Sequence, residues 1–468
     1  MAETKNAELV FIPIPGMGHL LPTIEMAKLL TDRDERLSIT VLILKAPVEL
    51  KSDSYSRKSN SRVRFIEFSL NHRPIAPKNF AFHFVESHKD PVRDVVAKMV
   101  RDESIRLAGF VIDMFCTTMI DIANEFGVPT YVFNTTSAAR LGLNFHMQGL
   151  SDEQNLDVTE YKNSDAELLV PTYINPVPGK VFPSRFFDED GLTMLLSMAR
   201  RFRETKGILI NTFLDLEAYA LKSLSDDDKI PPVYPIGPIL HVKAKSDDNK
   251  DCQEIMEFLD EQPVSSVVFL CFGSMGYFDG DQIKEIAIAL EQCGHRFLWS
   301  LRKPPPKDSL EDPSEYENPE EVLPKGFLQR TAVIGKVIGW APQVAVLSHP
   351  SVGGFLSHCG WNSTLESVWC GVPIAAWPMY AEQQVNAFEL VKDLGIAVEI
   401  KMDYRRGSDT IVPAEEIEKG IRRLMEPESE MRIKMKQMKR DSTMALMEGG
   451  SSYDFLRRFI DNVIDNIP

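Results

Sequence analysis

The sequence predicts an α/β protein made of two doubly wound, parallel-sheet lobes. Three observations lead there. Short β-branched runs alternate with amphipathic stretches through the first half of the chain, which is the rhythm of βαβ units. The rhythm breaks at a proline-dense segment near the middle and then restarts. The 468 residues also exceed what one hydrophobic core usually serves, so two domains are the starting expectation.

Taken in order, the first half offers strands over 8–14, 38–44, 63–68, 108–113, 130–133 and 207–212, with a helix over 19–30 after the first of them. Runs this apolar suit strands covered on both faces, as a parallel sheet requires. The stretch 231–240, PPVYPIGPIL, is dense in proline and 243–251, KAKSDDNKD, is polar, so a joint is expected there. The second half offers strands over 265–272, 296–301, 336–339, 352–356, 373–376 and 396–400. Within it, 303–324 (KPPPKDSLEDPSEYENPEEVLP) mixes prolines with carboxylates and reads as an exposed loop with no catalytic part. After Gly449 and Gly450, the residues Phe455, Leu456, Phe459, Ile460, Val463 and Ile464 share one helical face that must dock on something apolar. The expected division is a first lobe at 1–240, a linker at 241–251, a second lobe at 252–448 and a terminal helix at 449–468 that can cross back to the first lobe.

A formal charge of −16 with no compensating Lys/Arg block disfavours nucleic acid and anionic membrane surfaces as partners. The six cysteines, Cys116, Cys252, Cys271, Cys293, Cys359 and Cys370, are scattered without a CxxC pair and read as reduced thiols. The N-terminus MAETKNAELVFIPIP is too acidic and its apolar run too short for a signal peptide, and no stretch approaches the ~20 apolar residues of a membrane span. A cytoplasmic protein is expected. The nine histidines are dispersed and no D-x-D triplet closes a strand, so no metal is expected. No feature demands more than a monomer.

In open α/β sheets ligands bind beyond the carboxyl ends of the strands, and polar residues gather at three such ends here. The strand over 352–356 runs into His358, Cys359, Gly360, Trp361, Asn362, Ser363 and Thr364. The first N–H groups of a helix lack internal partners and carry its positive dipole end, so this turn can hold a diphosphate. Ser363 with Glu366 also spells an S-x-x-E capping box, and alone the cap is the commoner reading. Trp340, Pro342 and Gln343 form a second strand-to-helix turn; Trp377, Glu382 and Gln383 form a third.

These turns lie in one continuous run over 340–383, WAPQVAVLSHPSVGGFLSHCGWNSTLESVWCGVPIAAWPMYAEQ. It closely resembles the signature of plant secondary-product UDP-glycosyltransferases, family 1 glycosyltransferases. GMGH at 16–19, FGSMG at 272–276 and GGSS at 449–452 extend the resemblance along the chain, closest to the flavonoid- and triterpenoid-type enzymes. It implies a GT-B architecture, two Rossmann-like domains with the active site in the cleft between them: the acceptor held by the first domain, the UDP-sugar by the second. By position, Trp340 stacks on uracil beside Ala341, a contact generally worth about 1–3 kcal/mol per base. Gln343 and Glu366 take ribose hydroxyls; for Glu366 this role competes with the cap. His358, Asn362, Ser363 and Ser274 meet the phosphates, with Trp361 in the same turn. Tyr380, Glu382, Gln383 and Thr135 meet the sugar, Thr136 being an adjacent alternative to Thr135. No cofactor or metal is implied, the UDP-sugar being a co-substrate. The turn Gly16-Met17-Gly18-His19-Leu20-Leu21 lacks the third glycine of GxGxxG and no GxxxxGK[ST] loop exists, which disfavours dinucleotide and P-loop sites.

His19 follows the first strand and a glycine turn. An imidazole there can take the proton of an attacking alcohol, generally a ~10²–10⁴-fold effect; in an isolated GxGH, a cap or packing residue is an equal reading. A helix N-terminus disfavours an imidazolium, so a carboxylate partner is needed. Asp113, ending the strand over 108–113, either caps the helix near Thr117 or fills that role, and the resemblance matches it to the partner. The implied reaction is a one-step displacement giving a β-glucoside. In this family a final glutamine goes with glucose users, so Gln383 favours UDP-glucose. The acceptor side offers Gly18, Phe82, Phe84, Phe115, Met119, Phe145, Phe186, Phe187 and Met194, suited to a small apolar hydroxylated molecule, though each singly is commoner as core. The resemblance implies a flavonoid, other phenolic, triterpenoid or apocarotenoid acceptor. The rival readings are a ligand-binding protein without turnover, which has no use for His19 and Asp113, and a nicotinamide-dependent oxidoreductase, which lacks its glycine fingerprint.

Overall fold

A computed structural model of the chain describes residues 6–45, 62–68, 80–154, 158–162, 164–241, 250–306 and 311–467. In chain order the strands of the first half are β1 (Ala7–Ile12), β2 (Leu37–Leu44), β3 (Val63–Phe68), β4 (Arg106–Asp113), β5 (Thr130–Asn134), a short antiparallel pair β6 (Glu167–Leu168) and β7 (Val177–Pro178), β8 (Gly207–Ile210) and β9 (Val233–Pro235). All but the short pair lie in one parallel sheet of order β3-β2-β1-β4-β5-β8-β9. The second half adds β10 (Val267–Cys271), β11 (Arg296–Ser300), β12 (Gly335–Ile338), β13 (Val352–Ser357), β14 (Ile374–Ala376) and β15 (Ala397–Glu399), again parallel, in the order β12-β11-β10-β13-β14-β15.

Both orders reverse direction once, between β1 and β4 in the first sheet and between β10 and β13 in the second. A crevice opens at the carboxyl end of each such switch point. Asp113 closes β4, and His19, Ser274 and His358 follow β1, β10 and β13. The central strands are fully covered, β1 and β10 being buried at every position, so their sequences read as continuous apolar runs rather than alternating ones.

Three strands were not expected, the two-residue β6 and β7 and the edge strand β9. The proline-rich segment expected to be a joint carries β9, which pairs with β8 at the sheet's edge, and Ile236 and Ile239 beyond it are buried. Proline has no N–H to donate, a tolerable loss at an edge, where one side of the strand needs no partner. Of the expected linker, 242–249 lies outside the described residues, and a helix begins at Lys250.

The helix Ser451–Asp465 lies against the first sheet. Leu456, Phe459, Ile460 and Val463 are buried, the Phe459 ring sits 5.0 Å from Tyr131 of β5 and 5.8 Å from Tyr234 of β9, and the Tyr131 hydroxyl donates to Asn462 Oδ1 at 2.9 Å. The segment 303–324 is also more ordered than the loop expected from its composition. Lys303 and Ser314 exchange backbone bonds at 2.9 and 3.1 Å, and the Arg302 guanidinium, itself buried, donates to the carbonyls of Pro313 and Ser314. Residues 307–310 lie outside the described residues. No helix among the described residues is long and apolar enough to cross a membrane.

Candidate active site

The helix Met17–Arg33 starts at Gly16, whose φ of 127° suits only glycine, and this sharp turn after β1 sets His19 in the first turn of the helix. Asp113, the last residue of β4, is fully buried beside it. His19 Nδ1 donates to Asp113 Oδ2 at 2.8 Å, while Asp113 Oδ1 accepts the Phe115 N–H at 2.9 Å. The helix-cap reading of Asp113 is not met: the helix Met119–Glu125 has Thr118 at its N-cap position and no side-chain cap, and the second oxygen holds the preceding turn instead. Thr135 Oγ1 lies 3.2 Å from the same imidazole nitrogen, whereas Thr136 turns back onto Asn134; Thr135 is the one that faces the histidine. The Phe115 ring backs the imidazole at 5.5 Å. With Nδ1 engaged, Nε2 is the nitrogen left to take a proton. Burial pulls the His19 pKa down, but the charge and hydrogen bond of Asp113, with Glu382 adding, outweigh it, and the net shift is upward.

Across the cleft, β13 ends at Ser357 and the helix Trp361–Cys370 begins after Gly360. Ser363 lies inside this helix and its N-cap position is Gly360, with no side-chain cap, so the capping-box reading falls. Gln343 instead donates to Ser363 Oγ at 2.8 Å and to Glu366 Oε2 at 2.6 Å. Burial lifts the Glu366 pKa to about 7 against the Gln343 bond. Burial likewise drops His358 to about 4, leaving a neutral imidazole whose Nδ1 has no partner. Gly273 after β10, at φ 76°, allows this ring its place: a Cβ there would stand 2.5 Å from His358 Nε2. Ser274 next to it is exposed.

Trp340 is 42% exposed, an open indole face just after β12, and its backbone N–H donates to Glu315 Oε1 at 3.0 Å. Ala341 behind it is buried. Gln383 accepts the N–H groups of Met379 and Tyr380 through Oε1, at 2.9 and 3.1 Å, which fixes its amide so that the NH₂ end is the one offered. Tyr380 lies under the Arg406 guanidinium, 4.6 Å from the ring centroid. Glu382 starts the next helix, partly exposed.

The two halves touch directly. Asn362 Nδ2 donates to the Gly18 carbonyl at 2.9 Å, one residue from the histidine, and Trp361 Nε1 donates to the buried Asn211 carbonyl at 2.8 Å. The Trp361 indole is therefore a strut between lobes, and what remains for a ligand is its backbone N–H.

Among the apolar residues expected around an acceptor, Phe115 touches His19, and Phe82 is exposed while Phe187 and Met194 are partly so. Phe84, Met119 and Phe186 have no exposure, and Phe145 packs between Phe202 and the Arg203 guanidinium. These four are core in this structure, held there by their own neighbours. Residues the sequence did not single out are Asn211, Glu315 and Arg406, whose partners lie 150, 25 and 131 positions away; no local spacing announces such pairs. Among the described residues no group of three or more His, Cys, Asp or Glu is placed to hold a metal ion.

The sequence profile of the family described as "UDP-glucoronosyl and UDP-glucosyl transferase" matches residues 217–425. A Fragaria ananassa protein named UDP-glucose flavonoid 3-O-glucosyltransferase 6 is 56% identical, covering 98% of this chain and 99% of its own. The chain belongs to the plant UDP-glycosyltransferases. A Stevia rebaudiana UDP-glycosyltransferase is likewise 56% identical over 98% of both chains. Among solved structures, a Siraitia grosvenorii transferase in complex with UDP matches with a TM-score of 0.89 at 50% identity, covering 98% of this chain and 100% of that one. A Medicago truncatula enzyme complexed with UDP-glucose matches at 0.87 and 42%, covering 98% and 99%. The two parallel-sheet lobes are accordingly a GT-B fold, and this UDP-glycosyltransferase is an enzyme that uses a UDP-sugar.

Proposed function

We propose that this UDP-glycosyltransferase transfers glucose from UDP-glucose, with inversion, to a hydroxyl of a small apolar acceptor, giving a β-glucoside. The observation that carries the reading is the His19–Asp113 pair at 2.8 Å, joined through Gly18 and Asn362 to the helix N-terminus of the opposite lobe. His19 Nε2 takes the acceptor's proton while the oxygen attacks the anomeric carbon on the face away from UDP. Asp113 stabilises the imidazolium that forms and holds the tautomer. The charge growing on the leaving diphosphate is met by the first N–H groups of the helix Trp361–Cys370, by the unpartnered His358 Nδ1 and by Asn362 and Ser274. Trp340 stacks on uracil, Gln343 and Glu366 hold the ribose, and Thr135, Glu382 and Gln383 hold the hexose. Gln383 at the signature's end and the UDP-glucose named with two similar proteins support glucose. The flavonoid in the Fragaria name and the partly exposed Phe82, Phe115, Phe187 and Met194 support a phenolic or terpenoid acceptor.

The test is UDP release and glucoside formation with UDP-glucose, UDP-galactose and UDP-xylose over a panel of phenols and terpenoid alcohols, for wild type and His19→Ala. Wild type should prefer UDP-glucose. The variant should lose at least about 10²-fold in turnover while binding UDP nearly as well. Undiminished turnover in His19→Ala would sink the mechanism; preference for another sugar would sink the donor.

A further inference from the structure

The acidic, proline-containing segment 303–324 has no part in the reading above, yet it reaches the donor side of the cleft. Its anchor is the end of β11. Ser300 Oγ donates to the Gly339 carbonyl at 2.6 Å and the Leu301 N–H donates to the Ile338 carbonyl at 2.8 Å, which holds the end of β12. Arg302, buried, donates to the carbonyls of Pro313 and Ser314, and Lys303 and Ser314 exchange backbone bonds at 2.9 and 3.1 Å. Four consecutive residues thus hold both the turn that leads to Trp340 and the segment that carries Glu315.

Glu315 joins the two. Its Oε1 accepts the backbone N–H of Trp340 at 3.0 Å, and its side chain lies against Gly339: a Cβ built there would stand 2.2 Å from Oε2, 2.3 Å from Cδ and 2.8 Å from Cγ, its three nearest neighbours. β12 is the last strand of its sheet, so the backbone leaving it has no further strand to pair with, and Glu315 supplies an acceptor there. The turn 339–342 belongs to no helix or strand and depends on bonds of this kind for its position. A stacking ring gives its full value only when it is already in place, because ordering it on binding offsets part of the gain.

We propose that Glu315 is a positioning residue of the donor site: it fixes the Trp340 backbone so that the half-open indole is preset for uracil, and the segment 311–316 thereby serves uridine binding. The proposal rests on the reading of Trp340 as the uracil platform. Glu315 is exposed, so its truncation opens no cavity and the effect falls on the ligand rather than on folding.

The experiment measures UDP affinity by calorimetry, and the kinetics of transfer from UDP-glucose, for Glu315→Ala, Glu315→Gln, Gly339→Ala, the double variant Glu315→Ala with Gly339→Ala, and Trp340→Ala. Glu315→Ala should weaken UDP by about 3- to 10-fold and raise the KM for UDP-glucose by a similar factor, with the acceptor KM and the unfolding midpoint near wild type. Glu315→Gln keeps a carbonyl oxygen for the Trp340 N–H and should bind UDP close to wild type. Gly339→Ala drives the carboxylate off that N–H and should match Glu315→Ala; in the Glu315→Ala background the same methyl meets no carboxylate and should add nothing. Unchanged UDP affinity in Glu315→Ala, a Glu315→Gln variant as weak as Glu315→Ala, or additive losses in the double variant would each overturn the positioning role. Trp340→Ala separates the two levels. If it binds UDP as wild type does, the stacking reading fails and this proposal with it; if it weakens UDP while Glu315→Ala does not, this proposal fails alone.

Discussion

Asp113 divides its oxygens between the Phe115 N–H and His19, so one carboxylate both shapes the loop after β4 and sets the charge of the base. A general base works only unprotonated, and the His19 pKa is raised. The acid limb of kcat/KM against pH should therefore lie above pH 6.5, activity falling as pH drops through it. Asp113→Asn removes the two influences that raise the pKa beyond what burial takes away. It should shift that limb to lower pH and cut kcat by at least about 10²-fold; a limb that does not move would separate Asp113 from the base. Glu366 gives a second pH signature. With a pKa of about 7 in the unliganded enzyme, it is ionised only above neutrality, and the ionised form is the one that accepts from two ribose hydroxyls. UDP affinity should rise between pH 6 and 8, and Glu366→Gln should flatten that dependence in a calorimetric titration; an equally steep dependence in the variant would move the ribose contact elsewhere. His19, Asp113 and Thr135 stand at or after strand ends, but it was the family resemblance that singled them out, with Thr136 open as an alternative to Thr135; the structure brings Asp113 and Thr135 to the same nitrogen of His19. Glu315 was not singled out, since the backbone N–H it accepts from belongs to Trp340, 25 positions away.

Apolar runs announce their strands: β3 falls on 63–68 although only Val63 in it is buried, and the other expected strands are displaced by one or two residues at their ends. β9 was hidden because its prolines argue against a strand everywhere except an edge, and β6 and β7 are two residues each, too short to show any period. Composition misled over 303–324 for a different reason: its prolines and carboxylates are ordered by Arg302 and by the Glu315 bond to Trp340, contacts that composition does not record. The helix Ser451–Asp465 displays an apolar face in the sequence, but only the fold shows that Tyr131 and Tyr234 receive it. Phe459 is the centre of that contact with no exposed surface. Phe459→Ala should cost about 3–5 kcal/mol, seen as a lower unfolding midpoint. Because no donor residue touches this helix, the unfolding should begin in the first lobe, with UDP still protecting the second in limited proteolysis. An unshifted midpoint would mean that the helix is carried by the sheet rather than bracing it.

At the scale of the molecule, each lobe follows from its own pattern, whereas the pairing of lobes depends on a few long-range bonds. Trp361 to the Asn211 carbonyl and Asn362 to the Gly18 carbonyl tie the helix that faces the diphosphate to the lobe that holds the base. Neither bond was visible beforehand, because the indole and amide were already accounted for by the signature and a backbone carbonyl has no side-chain code. Their geometry makes a distinction that kinetics can read. The residues placed around UDP belong to the second lobe, so UDP binding needs that lobe alone; transfer needs His19 aligned with the anomeric carbon, so it needs both. Trp361→Phe keeps most of the ring and its packing, removes the Nε1–H, and leaves the buried Asn211 carbonyl without that donor, at about 1–3 kcal/mol. The loss falls on the paired arrangement of the lobes. It should lower kcat/KM for transfer by about tenfold or more while weakening UDP much less, as measured by calorimetry on the same protein. Equal losses in both would place the indole's role inside the donor pocket; no loss in either would show that the lobes are held in register by the remaining contacts, chiefly Asp393 on Ile174 and Asn175 and Arg405 on the carbonyls of Lys180 and Phe182.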